Sequence, residues 1–278
     1  METYFNLLGL NILLKTPHDI QISDSLLPFQ QPACDQSDCV IDLSYGPLPA
    51  PELIGDWHGF CFYDSDGQRI FHSELPGGAH YASVDFQEKG RIQITVNPKF
   101  ANYFSGTAGI FNRVGFENLM LQHQSFLLHA SLIKYAGQGI AFAGSSGVGK
   151  STQADLWATY HQATILNGDR AALRRTETGW MAYGSPFAGT SNIYCNDQAP
   201  LRAVVVLEQG NENRLEQLNG AQAMLHLWPE ISARRWDRDF TAACSALCTQ
   251  LIEEIPVYLL TCLPNEDATT LLKKGLSL

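Results

Sequence analysis

The stretch Gly139-Ile140-Ala141-Phe142-Ala143-Gly144-Ser145-Ser146-Gly147-Val148-Gly149-Lys150-Ser151-Thr152 decides how this chain is read. From Gly144 to Ser151 it fits the phosphate-binding pattern G-x-x-x-x-G-K-[ST] at every constrained position. Gly144 and Gly149 let the backbone curl, with Ser145, Ser146, Gly147 and Val148 between them, so that successive N–H groups point inward at an anion. Lys150 supplies a mobile positive charge, expected to face solvent when no ligand is held. Ser151 supplies a hydroxyl suited to Mg²⁺, and Thr152 completes the loop. The context agrees. Gly139–Ala143 reads as an apolar strand, and Gln153–Ala158 as a helix whose positive dipole end faces the loop. A chance Gly/Ser turn would not carry strand, loop and helix in that order, so a bound nucleoside triphosphate is the expectation.

Composition narrows the class. The chain has 278 residues, 45% hydrophobic and 17% charged, enough for one large or two modest globular domains. Its formal charge of −10 argues against a nucleic-acid surface. The nearest basic run, Arg234-Arg235-Trp236-Asp237-Arg238, is short and interrupted by an acid. There are seven cysteines at irregular spacing. Cys244 and Cys248 stand four apart on an expected helix, where buried apolar thiols are a better reading than a metal pair. The start of the chain has no charged-then-apolar leader, and no apolar run reaches a membrane span. A reduced, cytoplasmic protein with no membrane or nucleic-acid partner is expected.

Two regions differ in texture. Residues 1–112 read as a smaller β-rich domain. Tyr4–Leu14 reads as one buried strand and Pro28–Asp38 as a loop. One hairpin (Gly59–Tyr63 with Arg69–His72) turns at Asp66-Gly67, and another (Tyr81–Phe86 with Arg91–Val96) at Glu88-Lys89-Gly90. His58, His72 and His80 lie near turns and read as solvated. Residues 113–278 alternate strands and helices. A helix is expected over Val114–Gln122, then strand Leu127–Tyr135 antiparallel to the loop's strand, then strands near Ala163–Asn167, Ala171–Arg174, Trp180–Tyr183, Leu201–Glu208 and Pro256–Thr261. Helices are expected near Ala221–Trp228, Phe240–Glu254 and Glu266–Lys274.

Two short motifs flank the loop. Leu127-Leu128-His129-Ala130-Ser131 precedes it, and Ile165-Leu166-Asn167-Gly168-Asp169-Arg170 follows it. A carboxylate at a strand end beside a phosphate loop suits Mg·ATP chemistry, because the metal takes phosphate and hydroxyl oxygens on one side and a hard protein oxygen on the other. For His129 a satisfied core histidine is the alternative, and for Asp169 a solvated turn acid.

The order H-x-S, strand, G-x-S-G-x-G-K-[ST], helix, strand, acid resembles the catalytic domain shared by HPr kinase/phosphorylase and ATP-dependent phosphoenolpyruvate carboxykinase. It covers residues 125–175 well and the rest of the C-terminal half loosely. The resemblance implies an α/β fold: a C-terminal P-loop kinase domain with a mixed sheet, preceded by the β-rich domain. By that resemblance Lys150 neutralises phosphate oxygens and Ser151 ligates Mg²⁺. Asp169 holds the metal or acts as base on the acceptor hydroxyl, and His129 faces the γ-phosphate. Ser131 reads as structural. Gly168 stands where the family has the first of two acids, so reverse phosphorolysis does not carry over. Neither does HPr as acceptor, since the family's downstream Gly- and Arg-containing segment has no counterpart here.

The expected activity is therefore transfer of the γ-phosphate of ATP, with Mg²⁺, to a serine hydroxyl of a small protein or peptide. A small hydroxy metabolite as acceptor and a non-catalytic nucleotide-binding module are the alternatives, and a homo-oligomer is left open. Gly184–Asn192, dense in small and hydroxyl residues, reads equally as a mobile active-site segment or a plain surface loop. Arg202, Arg234, Arg235 and Arg238 are the candidate cations for the transferring group.

Overall fold

Alternating apolar patterns build two mixed sheets, each within its own stretch of chain. The computed structural model describes residues 1–49, 52–57, 60–65, 68–74, 80–86, 90–111, 115–189, 191–235 and 237–278. The expected turns at Asp66-Gly67 and Glu88-Lys89, the helix start at Val114, and His58, Thr190 and Trp236 lie outside the described residues. Contacts group the chain into Met1–Leu119 and Met120–Leu278.

The first unit contains β1 (Glu2–Leu7), β2 (Leu10–Lys15), β3 (Gln30–Gln31), β4 (Cys39–Tyr45), β5 (Glu52–Trp57), β6 (Phe60–Ser65), β7 (Gln68–Glu74), β8 (His80–Phe86) and β9 (Arg91–Val96), followed by helix α1 (Thr107–Phe111). Helix α2 (Phe116–Gln122) spans the boundary. The sheet order among the described residues is β3-β1-β2-β4-β9-β8-β7-β6-β5. β4 runs parallel to both β2 and β9, and the other pairs are antiparallel. The single strand expected over Tyr4–Leu14 is instead a hairpin. Leu8 (φ 60°) and Gly9 (φ 70°) both adopt positive φ, as a two-residue type I′ turn requires. The turn sets Phe5 opposite Ile12 and Leu7 opposite Leu10, so one inward face is kept on both strands.

The expectation of solvated histidines fails for His72, which lies on β7 and is only 1% exposed, with Nδ1 3.0 Å from His80 Nδ1. Burial, reinforced by the neighbouring His80 ring, pushes its pKa down to about 4. The unfolded chain therefore binds a proton below about 6.5 that the folded chain refuses until about 4. Stability should fall as pH drops through that window, by about 3 kcal/mol in all. Urea titrations at pH 7 and pH 4.5 check this: the loss should shrink sharply in His72→Gln, and an equal loss in both proteins would refute it.

The second unit contains β10 (Ser125–Tyr135), β11 (Gln138–Ala143), α3 (Lys150–His161), β12 (Thr164–Asn167), β13 (Arg170–Thr176), β14 (Gly179–Tyr183), β15 (Gln198–Gln209), β16 (Arg214–Gln217), α4 (Gly220–Leu227), α5 (Arg238–Glu254), β17 (Val257–Cys262) and α6 (Glu266–Gly275). β11 lies antiparallel to β10 and parallel to β15, and β15 runs parallel to β17. β14 joins β13 to the start of β15, so β10, β11, β15, β14 and β13 form a closed cycle of pairings. The result is a mixed α/β fold.

Period-two alternation shares the central strands between two cores. Ala141, Ala143, Val204 and Val206 pack with Ala223 and Leu227 of α4 and with Cys244, Leu247, Cys248 and Leu251 of α5. Ile140, Phe142, Ala203 and Val205 pack with Ala154 and Trp157 of α3 and Leu272 of α6. Both faces of the sheet are thus covered by helices, and the strands read as nearly continuous apolar runs. Cys244 and Cys248 are core thiols, pushed by burial up to about 11 and about 12. Cys34, Cys39, Cys195, Cys244, Cys248 and Cys262 are free thiols, and among the described residues no helix is long and apolar enough to cross a membrane.

Candidate functional site

β11 ends at Ala143 and the phosphate-type loop leads directly into α3. Gly144 sits at φ +138°, where an added Cβ would press on Val148 Cγ1 at 3.1 Å and the Leu207 carbonyl at 3.3 Å. Gly149, the left-handed N-cap of α3 at φ +117°, turns the chain so that the helix begins at Lys150. Ser145, Ser146, Gly147, Ser151 and Thr152 are exposed, and Val148 is half-buried with its N–H on the Ser145 carbonyl at 3.2 Å. Lys150 does not face solvent as expected. It is buried at 7% exposure, and its ammonium donates to the carbonyls of Gly144 (2.7 Å) and Ser145 (3.1 Å). The physical reason is that loop carbonyls within reach satisfy the ammonium where water cannot. Burial lowers the Lys150 pKa, while the carboxylates of Glu230 and Asp169 act to raise it.

Those carboxylates belong to one constellation. β10 is buried along its middle except at His129, where a register shift sets both His129 and Ala130 opposite Arg170. Such a bulge re-aims a side chain out of the alternating pattern. The imidazole Nε2 lies 3.1 Å from Asp169 Oδ1, and Nδ1 lies 3.1 Å from Glu230 Oε2. Two N–H donors are needed to bond both carboxylates at once. Arg170 Nε stands 3.7 Å from Asp169 Oδ2. Glu230 closes the short 3₁₀ turn Trp228–Glu230, held to β10 by the Ser232 N–H on the Leu127 carbonyl at 2.9 Å. Arg235 donates to the carbonyls of Trp228 and Pro229, and Arg202 to that of Leu276. Each of these arginines thus has one guanidinium nitrogen on backbone carbonyls in the structure. Arg234 precedes α5, and Arg238 is its first residue.

A buried asparagine shapes the turn carrying Asp169. Asn167 Oδ1 accepts from the N–H groups of Asp169 (2.8 Å) and Arg170 (2.6 Å), while its Nδ2 donates to the Ser185 carbonyl at 2.9 Å. This side-chain turn fixes the backbone without a regular ladder. Ser131, fully buried, donates to the Gly168 carbonyl at 2.9 Å, in keeping with a structural role. Gly189 and Ser191 of the following segment pack onto the same turn. A Cβ on Gly189 (φ +54°) would meet Asp169 Oδ2 at 2.3 Å, and a Cβ on Gly168 would meet Ser191 Oγ at 2.4 Å. The segment is therefore no plain surface loop: Ser185 is fully buried and Ala188 is 6% exposed.

The Ser191 side chain leaves no room for a larger residue at Gly168. Gly168→Ala should cost about 2 kcal/mol by overpacking. Adding Ser191→Gly should return most of that loss. Thermal unfolding of the single and double variants checks the collision, and an undiminished melting temperature in Gly168→Ala would remove it.

The sequence reading missed Glu230, Asn167 and the closeness of Arg170. Asn167 had a local signal, an amide two residues before the acid at a strand end. Glu230 lies 101 residues from His129 and had none beyond the Pro that opens its turn. Among the described residues no three His, Cys, Asp or Glu side chains gather to hold a metal on their own.

No protein-family model matches this chain, and no curated protein sequence matches it. Among solved structures, the Hpr(Ser) kinase/phosphatase from Coxiella burnetii is similar at a TM-score of 0.31 and 12% identity, covering 53% of this chain and 86% of that one. That is a weak likeness to a kinase/phosphatase structure.

Proposed function

We propose that this protein is an ATP- and Mg²⁺-dependent kinase acting on a hydroxyl, with a serine of a small protein or peptide as acceptor. One observation carries the reading. The lysine of a phosphate-type loop shares its electrostatic surroundings with Asp169 and Glu230, and both carboxylates are held by His129. Curled loop amides and the start of α3 suit the β- and γ-phosphate oxygens. With phosphate present, the Lys150 ammonium would exchange its loop carbonyls for phosphate oxygens, which are stronger acceptors.

Asp169 would orient the acceptor hydroxyl and take its proton as the oxygen–phosphorus bond forms. The bond from the γ-phosphorus to the bridging oxygen breaks, and ADP leaves. His129 fixes the Asp169 carboxylate through Oδ1, and Glu230 fixes the ring from its other nitrogen. In its alternative role Asp169 would instead join the Ser151 hydroxyl as ligand of a hard cation that takes its remaining ligands from phosphate and water. Bound Mg²⁺ would supply neutralisation of phosphate charge. Positioning and electrostatics would account for most of the acceleration.

Transfer of label from γ-³²P ATP into a mixed proteome extract, beside ATP hydrolysis alone, tests this. Label on a protein or peptide supports the reading. Label on a small molecule replaces the acceptor class, and nucleotide binding without turnover overturns the kinase assignment.

A further inference from the structure

A cavity of about 400 Å³ opens beside the loop, walled by Gly147, Thr152, Gln153, Gln209, Cys262 and Pro264. It thus joins the loop and first turn of α3 to the ends of β15 and β17. Its size falls in the range of small-ligand pockets. Because it shares Gly147 and Thr152 with the phosphate-type loop, a ligand reaching from one to the other needs a polyphosphate end and a compact second half. Gln209 Nε2 donates to the Gly147 carbonyl at 3.3 Å, which ties the loop to the far wall.

Gln153 is the unusual wall residue. It is only 3% exposed, its Nε2 lies 3.3 Å from Cys262 Sγ, and its Oε1 is buried with no hydrogen-bond partner. A thiol sulfur is a weak acceptor, and a buried carboxamide oxygen without a donor is costly. The carboxamide oxygen thus lacks a donor from the protein, and a turn of the side chain toward the cavity would give it one from a ligand.

We infer that the cavity is an adenine-nucleoside pocket in which Gln153 reads the base. This rests on the nucleotide reading above. A carboxamide places an acceptor beside a donor, the complement of the adenine edge that carries the N6 amine beside N7. The matching edge of guanine carries two acceptors, O6 and N7, and would set O6 against Gln153 Oε1. The Cys262 and Pro264 side chains supply apolar surface for the ring. Gln153 thus selects the base, while the loop amides and Lys150 bind phosphate whatever the base.

Calorimetry on the full chain with Mg²⁺ and ATP, GTP or inorganic tripolyphosphate tests the pocket. ATP should bind about tenfold more tightly than GTP or tripolyphosphate. Gln153→Leu should erase the preference for ATP over GTP and leave tripolyphosphate affinity unchanged. In the wild-type protein, maleimide labelling at Cys262, mapped by peptide mass, should slow severalfold with ATP and not with tripolyphosphate. This arm decides the matter even if the variant does not fold. Equal affinities for all three ligands with unprotected Cys262 overturn the pocket and leave the phosphate loop standing. Failure of all three to bind overturns the nucleotide reading and the pocket with it.

Discussion

Lys150→Ala should lower phosphoryl transfer about a thousandfold, the scale on which fixed cations and donors act on a transferring phosphoryl group. The variant should nevertheless fold. In the structure the ammonium satisfies the carbonyls of Gly144 and Ser145, and only those two bonds are lost. Ser145 is exposed, so its carbonyl can turn to water. Alanine is also a better helix former than lysine at the start of α3. A drop of a few degrees in melting temperature is expected. A second consequence follows from charge. Lys150 interacts with Glu230 and Asp169, so its removal leaves two carboxylates around one imidazole with less positive charge nearby. Nucleotide affinity should fall together with turnover, because the same ammonium serves ground and transition states. Initial rates at saturating ATP beside calorimetric affinity check both effects. Wild-type turnover in the variant would remove this loop from the chemistry.

The parts of the fold that were legible in the sequence are those where one local rule acts alone. The loop and the first turn of α3 follow from glycine and lysine spacing. Leu201–Glu208 reads as a buried strand because alternate residues serve two cores, and it extends to Gln198–Gln209 in the structure. The polar β16 (Arg214–Gln217) carries no such pattern, since its residues are largely exposed and only pairing with β17 makes it a strand. The hairpin at Leu8-Gly9 was hidden because Leu8 is apolar and buried although it occupies a turn.

The candidate site was legible only in its chemistry-bearing residues. His129 and Asp169 stand out by type and by distance from the loop. The means that bring them together do not: a bulge opposite Arg170, and an asparagine folded under the turn. The bulge depends on a strand far along the chain, and the asparagine's turn is local but marked by a single amide rather than by a pattern in the sequence around it. Gly168 is no more legible. By sequence it looks like a missing acid, whereas in space it is the room that Ser191 requires. A glycine at a strand end can thus be a packing consequence of a neighbouring segment, here the stretch that carries Ser191.

Asp169→Asn should reduce turnover by about 10²–10⁴, the usual worth of a positioned general base, with nucleotide affinity held within about threefold. Asparagine is chosen because it keeps the shape. Gly189 passes so close to Oδ2 that a larger side chain would displace the loop, whereas an amide fits the same outline. His129 Nε2 can still approach the Oδ1 position, so the orientation survives while the charge and the proton-accepting capacity go. Glu230→Gln is the control that separates direct from indirect action. Glu230 touches the other ring nitrogen, so its loss should loosen His129 and lower kcat about tenfold with KM for ATP unchanged. Equal losses from the two variants would move the proton-accepting role away from Asp169. An Asp169→Asn chain that unfolds would instead make the acid a structural anchor of the turn shared by Asn167, Gly168 and Ser191, with the hydroxyl activated by some other group.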